Sequence, residues 1–214
     1  MTEGLVIAVD GPAASGKGTV AMRLGQTFGL PVLDTGLLYR AVGVAASRAG
    51  ADPDNPEAAT AVAAAIDLMA LDDPAFRTRE AGELASRVAV HPGVRAALNA
   101  AQVGFARRPG GAVLDGRDIG TVIAPWAPAK LYVTARPEVR AERRWRQLTG
   151  QGETVSFADV LEDIRRRDAR DGGRGDAPMA PAADAVLLDT SEMTIDLAAD
   201  AARRIVEAAR ANRA

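Results

Sequence analysis

The fold is decided by one stretch near the start of the chain, in which residues 5–19 read LVIAVDGPAASGKGT. Its first six residues form a short apolar run rich in β-branched side chains, which predicts a buried strand. A glycine-rich turn follows, and helical spacing of apolar residues begins at Lys17. In such a strand–turn–helix, successive backbone N–H groups point into one concavity and the helix N-terminus adds a positive dipole end. The stretch therefore predicts a cradle for phosphate groups.

The predicted cradle reaches from the end of the strand into the first helical turn. Its members, which we expect to bind ATP, are Gly11, Pro12, Ala13, Ala14, Ser15, Gly16, Lys17, Gly18 and Thr19. Lys17 can reach between the β- and γ-phosphates. The alternative is a glycine-rich turn that binds no ligand.

The residue after the lysine indicates whether the loop supplies a direct Mg²⁺ ligand. The widespread form of this loop has Ser or Thr there as a Mg²⁺ ligand, whereas this chain has Gly18. We therefore expect no direct metal ligand from the loop, and a Mg²⁺ held through water and the substrate phosphates. Asp115 ends a later apolar run and either holds such a water or caps the next turn.

Further elements alternate along the chain. Apolar runs predict strands at Leu5–Asp10, Pro31–Asp34, Ala112–Asp115, Lys130–Ala135 and Ala185–Asp189. Helical spacing marks Lys17–Phe28, Val94–Arg107, Glu138–Leu148 and Ile195–Ala211. Because several strands lack polar alternation, we expect both faces of a parallel sheet to be covered. The sequence predicts an α/β fold of the P-loop NTPase type, with three layers around a parallel five-stranded sheet.

Two intervals are too long to be simple crossovers. Residues 35–107 hold several helices and no clear strand, and residues 136–174 form a charged helical hairpin. Its turn lies at residues 149–152, and Ser156 is suited to cap its second helix. We therefore predict a single domain over residues 1–214, with a core at 1–34, 108–135 and 175–214 and two excursions.

Composition excludes several classes of protein. The 214 residues carry a net charge of −2, which gives no global positive field for nucleic acid or anionic lipid. Without cysteine and with His91 as the one histidine, a thiolate or histidine metal site is excluded. The first apolar run is too short and lacks a basic flank for a signal peptide. We expect a cytoplasmic monomer that binds neither nucleic acid nor membrane.

The basic residues suggest a phosphoryl transfer site. Lys17 and Lys130 are the only lysines, and arginine supplies every other positive side chain. Phosphoryl transfer needs positioned cations more than covalent help. A monophosphate acceptor has a second pKa of about 6 and needs no general base. The candidate cations are Arg40, Arg95, Arg117, Arg140, Arg143, Arg144, Arg167, Arg170 and Arg174.

The hairpin carries three of these arginines on one helix face. Arg140, Arg143 and Arg144 have i, i+3, i+4 spacing. We expect them, with Lys17 and Arg117, to neutralise the transferring phosphoryl group. The alternative is a solvated helix surface on which arginines alternate with acidic residues.

Four segments together resemble bacterial cytidylate kinases across nearly the whole chain. They are DGPAASGKGT at 10–19, LDTGLLYR at 33–40, DGRDIGT at 115–121 and RDARDGGR at 167–174. The third is the most specific, because it separates this family from adenylate kinases. The resemblance implies phosphorylation of CMP and dCMP by in-line transfer from ATP, with Mg²⁺ as cofactor. It also implies that excursion 35–107 binds the monophosphate and that 136–174 is a lid.

The resemblance further implies a set of contacts to CMP. These fall on Thr35, Tyr39, Arg40, Ser86, Arg95, Arg117, Asp118, Arg167, Asp171 and Arg174. Ser86, Arg95 and Asp118 are implied to read cytosine. A carboxylate accepts the hydrogen bond of the cytosine amino group, whereas uracil would place a carbonyl oxygen against it. A site built for an N–H group strongly rejects an analogue that lacks one.

One departure from the family concerns a strand-rich insert. Better-known members carry it before the segment matching residues 77–80, but here residues 67–74 lead almost directly into that segment. The closing of the first excursion and the preference between CMP and dCMP therefore stay open.

Three other functions remain at this point. The nearest is another monophosphate kinase, acting on UMP, on AMP, or on both CMP and UMP. A small-metabolite kinase would share the loop but not the segment at 115–121, and a nucleotide-binding regulatory module would not turn ATP over.

Overall fold

A single sheet forms the centre of the protein in the computed structural model, which describes residues 4–67 and 71–211. Within those ranges its strands are β1 Leu5–Asp10, β2 Val32–Asp34, β3 Gly111–Gly116, β4 Ala129–Thr134 and β5 Val186–Asp189. They lie in the order β2-β3-β1-β4-β5. Strand β1 pairs in parallel with β3 and β4, and β4 pairs in parallel with β5. The predicted α/β class and five-stranded sheet are confirmed, and each predicted strand boundary is correct to within one residue.

Helices fill the intervals between strands. In the described part of the chain the α-helices are α1 Lys17–Phe28, α2 Thr35–Arg48, α3 Pro56–Ala65, α4 Arg79–Val88, α5 Pro92–Ala106, α6 Pro137–Gly150, α7 Phe157–Gly172 and α8 Ile195–Ala211. The predicted bounds of α1 and α8 are confirmed. Helices α5 and α6 begin one or two residues earlier than predicted, because each opens on a proline whose fixed φ suits the first helical position.

The main apolar core lies between the sheet and helices α1 and α8. Helix α1 buries Val20, Ala21 and Leu24, which recur at helical spacing on its inner face. Helix α8 buries Ala198 and Val206 in the same cluster. Truncating a fully buried side chain such as Leu24 typically costs about 2–5 kcal/mol. This packing fixes the end of β1 and the start of α1, between which the phosphate loop runs.

The chain divides into two compact units, and the second is inserted into the first. One consists of the chain up to Leu33 together with Phe105 onward, and the other is Asp34–Gly104. The predicted limits of core, excursion and lid stay predictions. The sequence places the family's missing insert at residues 67–74. Residues 68–70 of this segment lie outside the described residues.

The unit Asp34–Gly104 has its own apolar core. Helices α2, α3, α4 and α5 all contribute to one cluster, which contains Leu38, Val42, Ala59, Ala63, Val88, Val94 and Leu98. Helices α2 and α4 approach each other closely at Gly43, which has no side chain. A Cβ at this position would lie only 2.7 Å from the Cβ of Leu84. The prediction of several helices in this interval is confirmed.

The hairpin of α6 and α7 has a small core as well. Ala141, Leu148 and Val160 are buried together, and Trp145 packs against them. The Trp145 indole N–H donates to the carbonyl oxygen of Val155 at 3.0 Å. The predicted cap is confirmed, since the Ser156 hydroxyl oxygen accepts a hydrogen bond from the backbone N–H of Asp159 at 3.1 Å.

Candidate active site

The loop between β1 and α1 has the backbone that a phosphate cradle requires. Gly11 has a φ of +142°, and a Cβ there would collide with the carbonyl oxygen of Val133 on β4. Gly16 has a φ of +89° at the N-cap of α1 and offers no capping side chain. The first turn of α1 has no acidic residue either. Its N–H groups are therefore left to an anion, as in other phosphate-binding loops.

Donors outside the loop bind its carbonyl oxygens. The Thr190 hydroxyl donates to the carbonyl oxygen of Ser15 at 2.8 Å. Arg140 donates to that of Ala13 at 3.3 Å, and Arg143 donates to that of Ser15 at 3.4 Å. These bonds fix the loop conformation without using its N–H groups. Sequence reasoning missed Thr190, whose one signal is its position directly after a strand, at the carboxyl edge where α/β proteins bind ligands.

The three arginines predicted to share a helix face have different surroundings. Arg140 is 3% exposed, donates to the carbonyl oxygen of Ala135, and binds both carboxylate oxygens of Asp168, at 3.0 and 2.6 Å. Arg143 donates to the hydroxyl and carbonyl oxygens of Thr190, and its burial lowers the pKa of its guanidinium. Arg144 is partly exposed and donates to the side chain of Gln147. The alternative of a solvated surface therefore does not hold for Arg140.

Lys17 and Asp115 meet beside the loop. The Lys17 ammonium nitrogen lies 3.4 Å from a carboxylate oxygen of Asp115, and both side chains are largely buried. A Cβ at Gly18 would lie 3.2 Å from the other Asp115 oxygen. The carboxylate thus lies against the position where the widespread loop carries its hydroxyl ligand. A side chain at position 18 would therefore require a small shift of the Asp115 carboxylate.

The segment after β3 is attached to the end of β1. The buried carboxylate of Asp10 accepts hydrogen bonds from the backbone N–H groups of Ile119 and Gly120, both at 2.8 Å. The pKa of Asp10 is raised to about 7, chiefly by burial; the two hydrogen bonds oppose this rise, and the charges of Asp118 and Asp115 add to it. Residues Ile119–Ile123 form a π-helical turn, and Asp118, just before it, is 6% exposed. The quoted motifs contained Asp10, but sequence reasoning gave it no role.

Three arginines predicted to contact CMP lie around the buried carboxylate of a fourth such residue, Asp171. Arg117 donates to Asp171 at 3.2 Å, and Arg174 donates to the carbonyl oxygen of the same residue at 3.1 Å. Burial alone would raise the pKa of Asp171, but the charges of Arg117, Arg167 and Arg174 outweigh it and the pKa lies below its usual range. The structure therefore groups these three arginines as a preorganised cationic cluster.

The other predicted CMP contacts lie in the unit Asp34–Gly104. Thr35, Tyr39 and Arg40 belong to the first turns of α2, where Arg40 binds the carboxylate of Asp34 at 2.7 Å. Ser86 on α4 is 4% exposed and Arg95 on α5 is 2% exposed. The helices that carry these residues pack around the same apolar cluster.

The sheet, the glycine loop and the helix that follows it define a P-loop protein of the α/β class. A sequence model of the cytidylate kinase family matches residues 7–210, so the chain belongs to the cytidylate kinase family. It is 73% identical to a cytidylate kinase from Caulobacter vibrioides, over 97% of this chain and 98% of that protein. Identity is 61% with one from Xanthobacter autotrophicus, over 98% and 100% of the two chains, and 50% with one from Brucella suis, over 94% and 92%.

Among the residues that the structure describes, we find no helix with the length and apolar character needed to cross a membrane.

Proposed function

We propose that the chain transfers the γ-phosphoryl group of ATP to CMP and dCMP, giving CDP and dCDP. The observation that carries the choice of base is the buried carboxylate of Asp118, one residue from an arginine that is already fixed by Asp171. A buried carboxylate is well suited to accept the cytosine amino group. Family membership, together with the cradle of β1, loop and α1, supports the chemistry.

The phosphates of ATP would lie on the N–H groups of the loop, with Lys17 beside them. Arg117 and Arg174, oriented by Asp171, suit the acceptor phosphate because their guanidinium groups need little rearrangement on binding. Arg144 remains a candidate for the developing charge, and so does Arg143, although it also donates to the loop carbonyl oxygen of Ser15. Arg140 is the exception: since it is buried and bound to Asp168 and the loop, we assign it the role of positioning the loop.

The acceptor needs no general base, because the monophosphate is largely a dianion near neutral pH. Its oxygen attacks the γ-phosphorus while the bond to the β-phosphate oxygen breaks, and the fixed cations neutralise the charge on the transferring group. The chain's contribution is thus positioning and electrostatics. The site must also exclude water, because a water molecule in place of the acceptor would hydrolyse ATP.

Mg²⁺ is the cofactor we propose with ATP. No group of three His, Cys, Asp or Glu in the described ranges is arranged to hold a metal ion. Asp115, buried beside Lys17, fits a metal-bound water rather than a closed metal site. A bound Mg²⁺ would supply positive charge that offsets the charge of the phosphates.

The two excursions have proposed roles of their own. Residues 35–107 would bind the monophosphate, and the hairpin 136–174 would act as a lid. The cytoplasmic location, the monomeric state and the absence of nucleic-acid and membrane partners stay predictions.

The substitution Asp118→Asn tests the choice of base. The amide can present its NH₂ group to a carbonyl, so the repulsion of uracil falls while a charge-assisted bond to cytosine, worth about 1.5–3 kcal/mol, weakens. We expect kcat/KM for CMP to fall by about one to two orders of magnitude. The value for UMP should fall less or rise. The measurement is kcat/KM for CMP, dCMP, UMP and AMP on both proteins.

The melting temperature of each protein is the control. If Asp118 only stabilises the turn, stability and both activities fall together and the CMP/UMP ratio is unchanged. A wild-type protein that prefers UMP or AMP would contradict the proposed substrate directly.

A further inference from the structure

Asp10 lies where the two halves of the proposed site meet within one unit. It is the last residue of β1 and stands directly before the phosphate loop. In the sheet it is level with Gly116 of β3 and Tyr132 of β4. Because the carboxyl ends of parallel strands meet at one edge of the sheet, its side chain can reach the segment that follows β3.

Both oxygens of the Asp10 carboxylate bind that segment. One accepts the N–H of Ile119 and the other the N–H of Gly120, each at 2.8 Å. The space around the turn is filled: a Cβ at Gly120 would lie 3.2 Å from Lys130 Cδ and 3.4 Å from an oxygen of Asp10. The two hydrogen bonds therefore connect the backbone after Asp118 to the end of β1.

We infer that Asp10 is a positioning residue for base recognition, whose carboxylate holds the backbone of Ile119 and Gly120 so that the side chain of Asp118 is fixed before CMP binds. The inference rests on the proposed function. It connects the strand that carries the phosphate loop to the segment that reads the base. Asp10 itself touches no substrate.

A carboxylate suits this role better than its neutral analogue. Asparagine has a single side-chain acceptor and would turn an NH₂ group toward one of the two N–H donors. A buried carboxylate is expensive to desolvate, and Asp115 and Asp118 add like charges nearby. Core packing alone would therefore favour a neutral side chain. What the structure shows in favour of the ionised form is the geometry, because both oxygens accept backbone N–H groups of the segment.

The test is Asp10→Asn, with steady-state kinetics for CMP, UMP and ATP. Loss of one of two charge-assisted bonds is expected to loosen the turn, raising KM for CMP by about ten- to a hundredfold. The CMP/UMP ratio of kcat/KM should fall by a similar factor. KM for ATP should change by less than about threefold, since the loop carbonyls are fixed by Thr190, Arg140 and Arg143.

Asp189→Asn is the matched control. Asp189 ends β5 at the same edge of the sheet, and its carboxylate accepts the N–H of Ser191. The same substitution is made there at an exposed side chain that binds Ser191 rather than the segment after β3, so its CMP/UMP ratio should match that of the wild type. An unchanged ratio in Asp10→Asn, or a parallel loss for ATP and CMP, would overturn the inference.

Two outcomes separate the inference from the proposed function. If the wild type does not phosphorylate CMP, the proposed function fails first. If the wild type does so and only the Asp10 result is negative, the inference fails alone. Should Asp10→Asn not fold, hydrogen exchange of the wild type without nucleotides decides: slow exchange at Ile119 and Gly120 supports the inference, and exchange as fast as in an open loop overturns it.

Discussion

The phosphate loop and the α6–α7 hairpin are both predicted to bind phosphate, but by different physical means. The loop offers backbone N–H groups, the dipole of α1 and Lys17, all close together in sequence. The hairpin offers arginine side chains, and two of them are bound to the loop itself and to Asp168 or Thr190. A local motif thus specifies its ligand directly. For a set of charged side chains at helical spacing, a ligand can be inferred only once the partners of each side chain are known.

The difference separates direct binding from support. Arg140 and Arg143 bind the loop carbonyl oxygens, and neither bond uses the N–H groups with which the loop is proposed to bind nucleotide. The hairpin arginines therefore help to hold the phosphate loop in its conformation. Substitutions in the loop should therefore lower transition-state stabilisation. Substitutions of the buried hairpin arginines should lower the free energy of unfolding.

The largest expected effect is that of Lys17→Ala. Removing a preorganised cation beside the transferring group should lower kcat/KM by about a hundred- to a thousandfold. The melting temperature should fall as well, because the substitution removes the ammonium group beside the largely buried carboxylate of Asp115. The measurement is kcat/KM with ATP and CMP, together with the melting temperature.

The other lysine is the matched control. Lys130 is buried and donates to the carbonyl oxygen of Pro125 and to Asp184. Lys130→Ala should lower stability with a small effect on the kinetics of the folded fraction. A Lys17→Ala variant that keeps more than about a tenth of the wild-type kcat/KM would contradict the assigned role.

The second prediction concerns Arg140→Ala. It removes a buried partner of Asp168 and of two backbone carbonyl oxygens, so the free energy of unfolding should fall by about 2 kcal/mol. Arg144→Ala, on the same helix but partly exposed, should change it by less than about 0.5 kcal/mol. Chemical denaturation of the three proteins measures both values. Equal losses would remove the distinction between a buried support and an exposed cation.

The smallest effect is expected in hydrogen exchange of the hairpin. The glycines Gly150, Gly152, Gly172 and Gly173 lie at its turn and its end. If the hairpin is a lid, its amides should exchange about tenfold more slowly with ATP and CMP than without them. The helices of the main core should respond much less. Equal protection of the hairpin in both states would leave it a fixed part of the unit.

Much of the fold could be predicted because the decisive signals are local. The run at residues 5–10, the glycine turn and the spacing of α1 each depend on neighbours in sequence, and their predicted bounds are confirmed. The end of α1 follows the same rule, since Gly29 adopts the left-handed conformation that ends helices. Family membership was equally visible, in the order of four short segments.

Partners distant in sequence had no such signal. Asp10 binds the amides of Ile119 and Gly120 across more than a hundred residues, and Thr190 binds the loop carbonyl of Ser15 from beyond β5. Helical spacing placed the hairpin arginines on one face but did not give their partners. The sequence by itself determined the elements, the loop and the family. Which charges are buried and which partners they bind was decided by the tertiary structure, because burial and hydrogen-bond partners exist only once the strands are side by side.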